Sequence, residues 1–256
     1  MDRSDILQTF DRQMRQEIEF PDMCKDILSW GVRFVRPAPG MSIILYYELD
    51  EDNADQAIED QVAYFRQVNQ RFAWKVFDHD RPADMKTRLT RQGFTGDDLA
   101  ALMVLDLEHA PGSLFEPVQA DIRRVTSADQ LDDVVKVLET VWGGNYNWVL
   151  ERMGNHLKIP DYLDAYLVYQ DRQPASVGWT YFYPRSQFGQ LFGGSTVPGQ
   201  RRHGFYTAIL ARRVQAAAER GVRFLTVEAG SESQPILEKN GFWRLSEVQD
   251  FEKEQL

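Results

Sequence analysis

The segment Ser195-Thr196-Val197-Pro198-Gly199-Gln200-Arg201-Arg202-His203-Gly204-Phe205-Tyr206 ends one periodicity and begins another. Before it, Gln190–Val197 reads as a strand. After it, Tyr206, Leu210, Val214 and Ala217 recur at helical spacing and predict a long helix over Gly204–Arg220, stopped by Gly221 at a C-cap position. Backbone N–H groups at a helix N-terminus lack intrahelical partners and carry partial positive charge, so such a loop offers a cradle for a diphosphate. Glycine at 204 lets the backbone approach a ligand with no Cβ in the way, and Arg201 and Arg202 add charge.

Around this segment the chain alternates strands and helices. Ala120–Val125 is a short strand, Ser127 and Gln130 have capping-box spacing, and Leu131, Val134, Val135, Leu138 and Val141 recur at helical spacing. A break at Gly143-Gly144 precedes a shorter helix over Trp148–Met153. Strands Ala165–Gln170 and Ala175–Tyr183 are joined by a tight turn, and Val177, Trp179, Tyr181 and Tyr183 share one face of the second. Gly193-Gly194 inside the next strand marks a bulge or a close backbone approach. Phe224–Ala229 is a strand, Ser231–Lys239 a helix, and Asn240-Gly241 turns into a last strand from Phe242.

The breaker-rich stretch from His109 to Val118 is the expected boundary between residues 1–115 and 116–256. The first part echoes the second. Ser42–Leu49 reads as a strand, Ala54, Ile58, Val62 and Phe65 as a helix face, Trp74–Phe77 as a strand and Pro82–Arg91 as a helix, closing on Gly93-Phe94 as the later run closes on Gly241-Phe242. The loop at the corresponding helix start, Leu49-Asp50-Glu51-Asp52-Asn53-Ala54-Asp55, is acidic with Asn53 as the expected N-cap. Those charges suit a helix dipole and repel a diphosphate.

The formal net charge of −10 argues against a nucleic-acid partner, which needs clustered Lys and Arg. No apolar run has the length of a membrane span, and the N-terminal residues lack the apolar stretch of a signal peptide. A single cysteine, Cys24, excludes an internal disulfide and fits a reducing cytoplasm; beside Met23 and Ile27 it reads as a packed hydrophobe. His79, His109, His156 and His203 are far apart in sequence and no metal is expected; Asp78-His79-Asp80 reads as a cap or surface network.

The basic loop resembles the signature of the GNAT acetyltransferase superfamily, V-x-P-x-x-R-G-x-G-x-G/A before a helix. Thr196, Pro198, Arg201 and Gly204 fall on that pattern, and the following helix, strand, helix and Gly-Phe exit come in the family's order. Arg202 and Tyr206 depart from it, standing where small residues are usual. The resemblance implies an acyl-CoA N-acyltransferase fold: α/β of the α+β type, with a mixed, mostly antiparallel twisted sheet flanked by helices, here as tandem GNAT-like halves with a degenerate first half.

It also implies acetyl-CoA as acyl donor, held by Thr196, Val197, Arg201, Arg202, His203, Gly204, Phe205, Tyr206 and Thr207. In that family the thioester arm lies between the strands that end here at Val197 and Ala229, and a backbone N–H near Val197 polarises the carbonyl. Glu228 is the candidate base, with a surface ion pair as its plain structural alternative. The tyrosine that many members use to protonate the leaving thiolate falls on Leu237, leaving Ser231, Ser233, water or Tyr206 for that task.

Tyr146, Trp148, Trp179 and Tyr181 are the expected acceptor-pocket residues, alongside Trp142 and Tyr183; ordinary sheet packing is the alternative. Gly193-Gly194 leaves room for acyl groups longer than acetyl. The reading is a cytoplasmic N-acetyltransferase for a primary amine, on a small molecule or a peptide, by direct attack in a ternary complex. The alternative is a non-catalytic acyl-CoA-binding sensor or regulatory module.

Overall fold

The computed structural model describes residues 1–253. The chain divides into two compact units, one formed by Met1–Met103 with Glu228–Gln234 and the chain from Arg244 onward, the other by Val104–Val227 with Pro235–Trp243. This differs from a single cut after residue 115. The last strand and the end of the one before it group with the first unit, because strand pairing, not sequence order, decides where each is packed.

In the first unit α1 (Arg3–Phe10) opens on a reciprocal cap, Asp2 accepting from the Asp5 amide and Asp5 from the Asp2 amide. It passes into a π-helical turn at Asp11–Gln16. Strands β1 (Cys24–Leu28), β2 (Gly31–Val35) and β3 (Ser42–Tyr47) follow in antiparallel pairs. The helix α2 (Ala54–Gln67) then crosses over to β4 (Phe72–Phe77), which runs parallel to β3 from Ser42↔Phe72 to Ile44↔Trp74. After α3 (Met85–Arg91), β5 (Thr95–Gly96) and β6 (Ala100–Asp106), the chain's last strand, β12 (Trp243–Glu252), returns antiparallel to β4.

Ile44, Ile58, Phe65, Phe72, Trp74 and Leu89 are the centre of this core, with Phe65 stacked on Phe72 at 4.2 Å between centroids. The hairpin β1–β2 and the strand β6 were not anticipated from sequence. Ala100–Asp106 is a short apolar run buried almost throughout, so it shows no alternation to read. Cys24 is exposed on β1, at the end of the strand order, where its side chain faces away from the core; it is not a packed hydrophobe.

Two buried ion clusters hold this unit together. Arg15, inside the π-turn and without solvent contact, donates to both carboxylate oxygens of Asp80 at 2.8 Å, to Asp11 at 2.8 Å and to the Leu45 carbonyl at 3.0 Å. Asp80 therefore turns inward, and Asp78 meets Lys86 at 3.0 Å. Burial works against the Arg15 charge, yet Asp80 and Asp11 hold its pKa above the usual arginine value. Lys75 on β4 is the second centre, with Nζ 2.7 Å from Glu228 Oε2 and 3.0 Å from Asp250 Oδ1. Its burial also opposes charge, and the two carboxylates override it and raise the pKa.

In the second unit the strand order is β11-β10-β9-β8-β7, with β7 (Asp121–Val125), β8 (Leu163–Gln170), β9 (Gln173–Phe182), β10 (Phe188–Thr196) and β11 (Phe224–Ala229). All neighbours are antiparallel except β10 and β11. Helices α4 (Leu131–Trp142) and α5 (Trp148–His156) lie on the face of β9 that carries Val177, Trp179 and Tyr181, since Trp142 reaches Ser195, the partner of Val177, and His156 reaches Tyr181. The long helix α6 (Phe205–Glu219) covers the opposite face, over Gly178. α7 (Gln234–Lys239) completes the element order. Among the described residues no helix is long and apolar enough to cross a membrane.

Candidate active site

The parallel register of β10 and β11 runs only from Phe188↔Phe224 to Gln190↔Thr226, while β10 itself continues to Thr196. Beyond Gln190 the backbone of β10 is therefore outside that pairing. β10 next makes a bulge against β9. Phe192 pairs with Trp179 and Ser195 with Val177, so Gly193 and Gly194 together oppose the single residue Gly178.

The glycines are explained by what fills their missing side chains. A Cβ on Gly193, whose φ is +61°, would overlap the ring of Trp179; one on Gly194 would come within 2.9 Å of the Tyr206 ring; one on Gly178 would come within 2.9 Å of Ile209 and 3.1 Å of the Arg213 guanidinium. The glycine pair thus admits the protein's own aromatic rings. The expectation that it leaves room for longer acyl chains is corrected on that ground.

A turn at Pro198–Gln200 leads from β10 to α6. Gly204 is left-handed at φ +80°, stands at the N-cap of α6, and no side chain caps the helix. The first-turn amides of this 15-residue helix are left without intrahelical acceptors. A Cβ at Gly204 or Gly199 would meet nothing within 4 Å, so the space in front of the helix is open. Arg201, Arg202, His203 and Thr207 are exposed around it, and Phe205 and Tyr206 are half-buried. Arg201 Nε is 3.4 Å from the Thr196 carbonyl, and His203 meets the Gln200 carbonyl at 3.2 Å. Thr196 Oγ1 is 2.8 Å from Ser176 Oγ.

Of the backbone N–H groups near Val197, its own is already engaged. It donates to the Ala175 carbonyl at 2.9 Å, closing the ladder with β9, and so is not available to a thioester. The bulge residues Gly193 and Gly194 are the ones out of register with β9.

The expected acceptor aromatics divide. Trp179 and Tyr181 are buried, as is Tyr183: Trp179 lies under Gly193, and Tyr181 is hydrogen-bonded to His156 at 2.9 Å and packed 5.6 Å from Phe192. Trp142 and Trp148 are 64 % and 50 % exposed, with Tyr146 6.4 Å from Trp148. Trp142 Nε1 donates to Ser195 Oγ at 2.9 Å, which ties the end of α4 to the bulge. Glu228 groups with the first unit and receives the Lys75 ammonium on Oε2.

Sequence reading passed over Arg213, although the signal was there. It stands three residues after Leu210 and four before Ala217, inside the apolar stripe of α6. Burial lowers its pKa, offset only by Tyr206, while burial raises the Tyr206 phenol above its ordinary value.

No family model and no curated protein matches the sequence. Solved structures do. A GCN5-related N-acetyltransferase from Kribbella flavida superposes with a TM-score of 0.69 at 14% identity, over 99% of this chain and 95% of that one. A functionally unknown conserved protein from Staphylococcus epidermidis gives 0.69 at 14% identity, over 93% and 96% of the two chains. A tandem GNAT protein from the clavulanic acid biosynthesis pathway gives 0.62 at 13% identity, over 92% and 84%. The chain has the GNAT fold, in tandem.

The GNAT-like echo in the first unit is visible in its parallel pair β3–β4, joined through α2 as β10–β11 are joined through α6. The two GNAT-like loops differ in one decisive respect. In the loop before α2, Asp50 Oδ1 accepts from the amides of Asp52 and Asn53 at 2.9 and 3.0 Å, so a carboxylate, not a basic side chain, lies against the loop that leads into the helix. Asn53 stands at the N-cap but its side chain accepts from the Asp50 amide and does not cap the helix. Leu237, where the sequence resemblance expects a tyrosine, is fully buried.

Proposed function

We propose that the second unit is an acetyl-CoA-dependent N-acetyltransferase acting on a primary amine of a small molecule or peptide, in the cytoplasm. The observation that carries this reading is the uncapped N-terminus of α6 behind a left-handed Gly204 with open space before it. In this reading a diphosphate accepts from the amides of Phe205, Tyr206 and Thr207, with Arg201, Arg202 and His203 as neighbouring charge and donors. Thr196 and Val197 border the thioester arm in this reading.

The bulge amides at Gly193 and Gly194 face the negative charge that develops on the carbonyl oxygen. An amine nitrogen bonds to the carbonyl carbon as the C–S bond breaks; one proton leaves the nitrogen and one joins the sulfur. Glu228 is the proposed base, with Oε1 the atom left for a proton while Lys75 holds Oε2. Tyr146, Trp148, Trp179 and Tyr181 belong to the acceptor side, with the exposed Trp148 and half-buried Tyr146 as its contact surfaces and the two buried rings as their support.

Calorimetric titration with acetyl-CoA tests the donor site. One micromolar site per chain is expected, and Gly204→Val is expected to weaken binding at least tenfold, since a branched side chain at positive φ both strains the cap and fills the open space. Unchanged affinity in that variant would remove the cradle from this loop. Glu228→Gln is expected to lower kcat about 10²-fold with near-normal acetyl-CoA affinity. A wild-type kcat accompanied by a lowered Tm would make Glu228 a structural partner of Lys75 only. One observation favours the second reading, a non-catalytic acyl-CoA sensor: Leu237 cannot donate a proton and is buried where the family's tyrosine stands. Acetyl-CoA binding with no thiol release for any amine supports it.

A further inference from the structure

Arg213 is 2% exposed, and among the described residues no carboxylate pairs with it. Arginines at such depth ordinarily have an ionic partner, because an uncompensated buried charge is costly. Its hydrogen bonds run instead from Nη1 to two main-chain carbonyls, Trp179 at 3.4 Å and Phe192 at 3.3 Å, and Nε has no partner. Those carbonyls belong to the pair Phe192↔Trp179, the last in register before the bulge. The guanidinium lies over Gly178, the residue opposite Gly193 and Gly194, and Nη2 is 3.6 Å from where a Cβ of Gly194 would stand. Tyr206 packs against Gly194 from the same helix.

A bulge disrupts the ladder locally and leaves its extra residue unpaired, so something other than the ladder must hold that backbone. One face of this bulge is supported by the Trp179 ring under Gly193, the other by Arg213 and Tyr206. We infer that Arg213 is the positioning residue of the acyl-transfer site: it holds the Phe192 and Trp179 carbonyls at one edge of the bulge, which fixes the Phe192–Gly193 peptide and with it the Gly193 amide that the acyl-transfer reading sets toward the thioester oxygen, and its uncompensated charge favours negative charge there. The inference rests on the acyl-transfer reading above.

Isotope-edited infrared spectroscopy of acetyl-CoA carrying 13C at the thioester carbonyl tests it apart from turnover. Wild-type protein is expected to shift the carbonyl band to lower frequency on binding. Arg213→Met and Arg213→Gln are expected to lose most of that shift and at least tenfold in the rate of thiol release, with acetyl-CoA affinity changed less than about threefold, because the cradle at Gly204 is untouched. Arg213→Lys, which keeps a charge and a donor for the carbonyls, is expected to retain part of the shift and serves if the neutral variants do not fold; a folded lysine variant that binds acetyl-CoA and loses the shift as completely as a neutral one removes charge and carbonyl donation as the cause and overturns the inference. So does a folded neutral variant that binds acetyl-CoA with the full shift. A wild-type protein that fails to bind acetyl-CoA, or binds it with an unshifted band, instead sinks the acyl-transfer reading itself.

Discussion

Gly193→Val is expected to destabilise the second unit by about 3 kcal/mol or more in denaturant unfolding, from overpacking together with a β-branched residue forced to positive φ. The Cβ position of Gly193 is 1.8 Å from the nearest atom of the Trp179 ring; Trp179 is buried and its backbone is paired with Phe192, so neither the backbone nor the ring can give way cheaply. Combining Gly193→Val with Trp179→Ala is expected to restore part of the loss, since the second change removes the overlapping atoms. Recovery in the double variant shows steric coupling. A single Gly193→Val variant within about 1 kcal/mol of wild type, below the usual cost of overpacking, would show that the bulge is not closed against Trp179. Under the proposed acyl-transfer reading, in which the bulge amides meet the thioester oxygen, the same variant is expected to lose activity wherever it still folds.

Asp80→Ala is expected to cost the first unit about 3–5 kcal/mol, the range for breaking a buried ion pair by removing one partner. Asp80 receives Arg15 on both carboxylate oxygens at 2.8 Å and also accepts the Phe77 amide at 2.9 Å, so its removal strands a buried charge and a buried N–H together. Asp11 remains with Arg15 at 2.8 Å and limits the loss. Replacing both partners, Arg15→Met with Asp80→Leu, is expected to cost less than Asp80→Ala alone, because no stranded guanidinium is left inside and Asp11, which loses Arg15, keeps His79 at 3.0 Å. Equal losses in the single and double variants would show that the Phe77 amide, and not the arginine, sets the cost.

The second half of the fold was legible because its elements carry clean periods and breakers. Strand Phe224–Ala229 lies where its apolar run placed it, and Gly143, Gly204, Gly221 and Gly241 end or begin elements at positive φ, which few other residues adopt. The echo between the halves was legible for the same reason, from helix spacing and the Gly-Phe exits. The β1–β2 hairpin and β6 were not, since their pattern is either irregular or uniformly apolar.

The candidate site was legible only along the chain. Sequence alone determined a strand, a basic loop and a helix with glycine at its start, and an acidic counterpart loop in the first half. Those follow from backbone conformation and local charge, which depend on near neighbours. Tertiary structure decided the rest: that the Val197 amide is taken by Ala175, that Gly193 and Gly194 yield space to Trp179 and Tyr206, that Glu228 meets Lys75, and that Arg213 grips the carbonyls beside the bulge. Each of these is a contact between residues far apart in sequence, and its existence depends on strand register and packing, which no local period encodes.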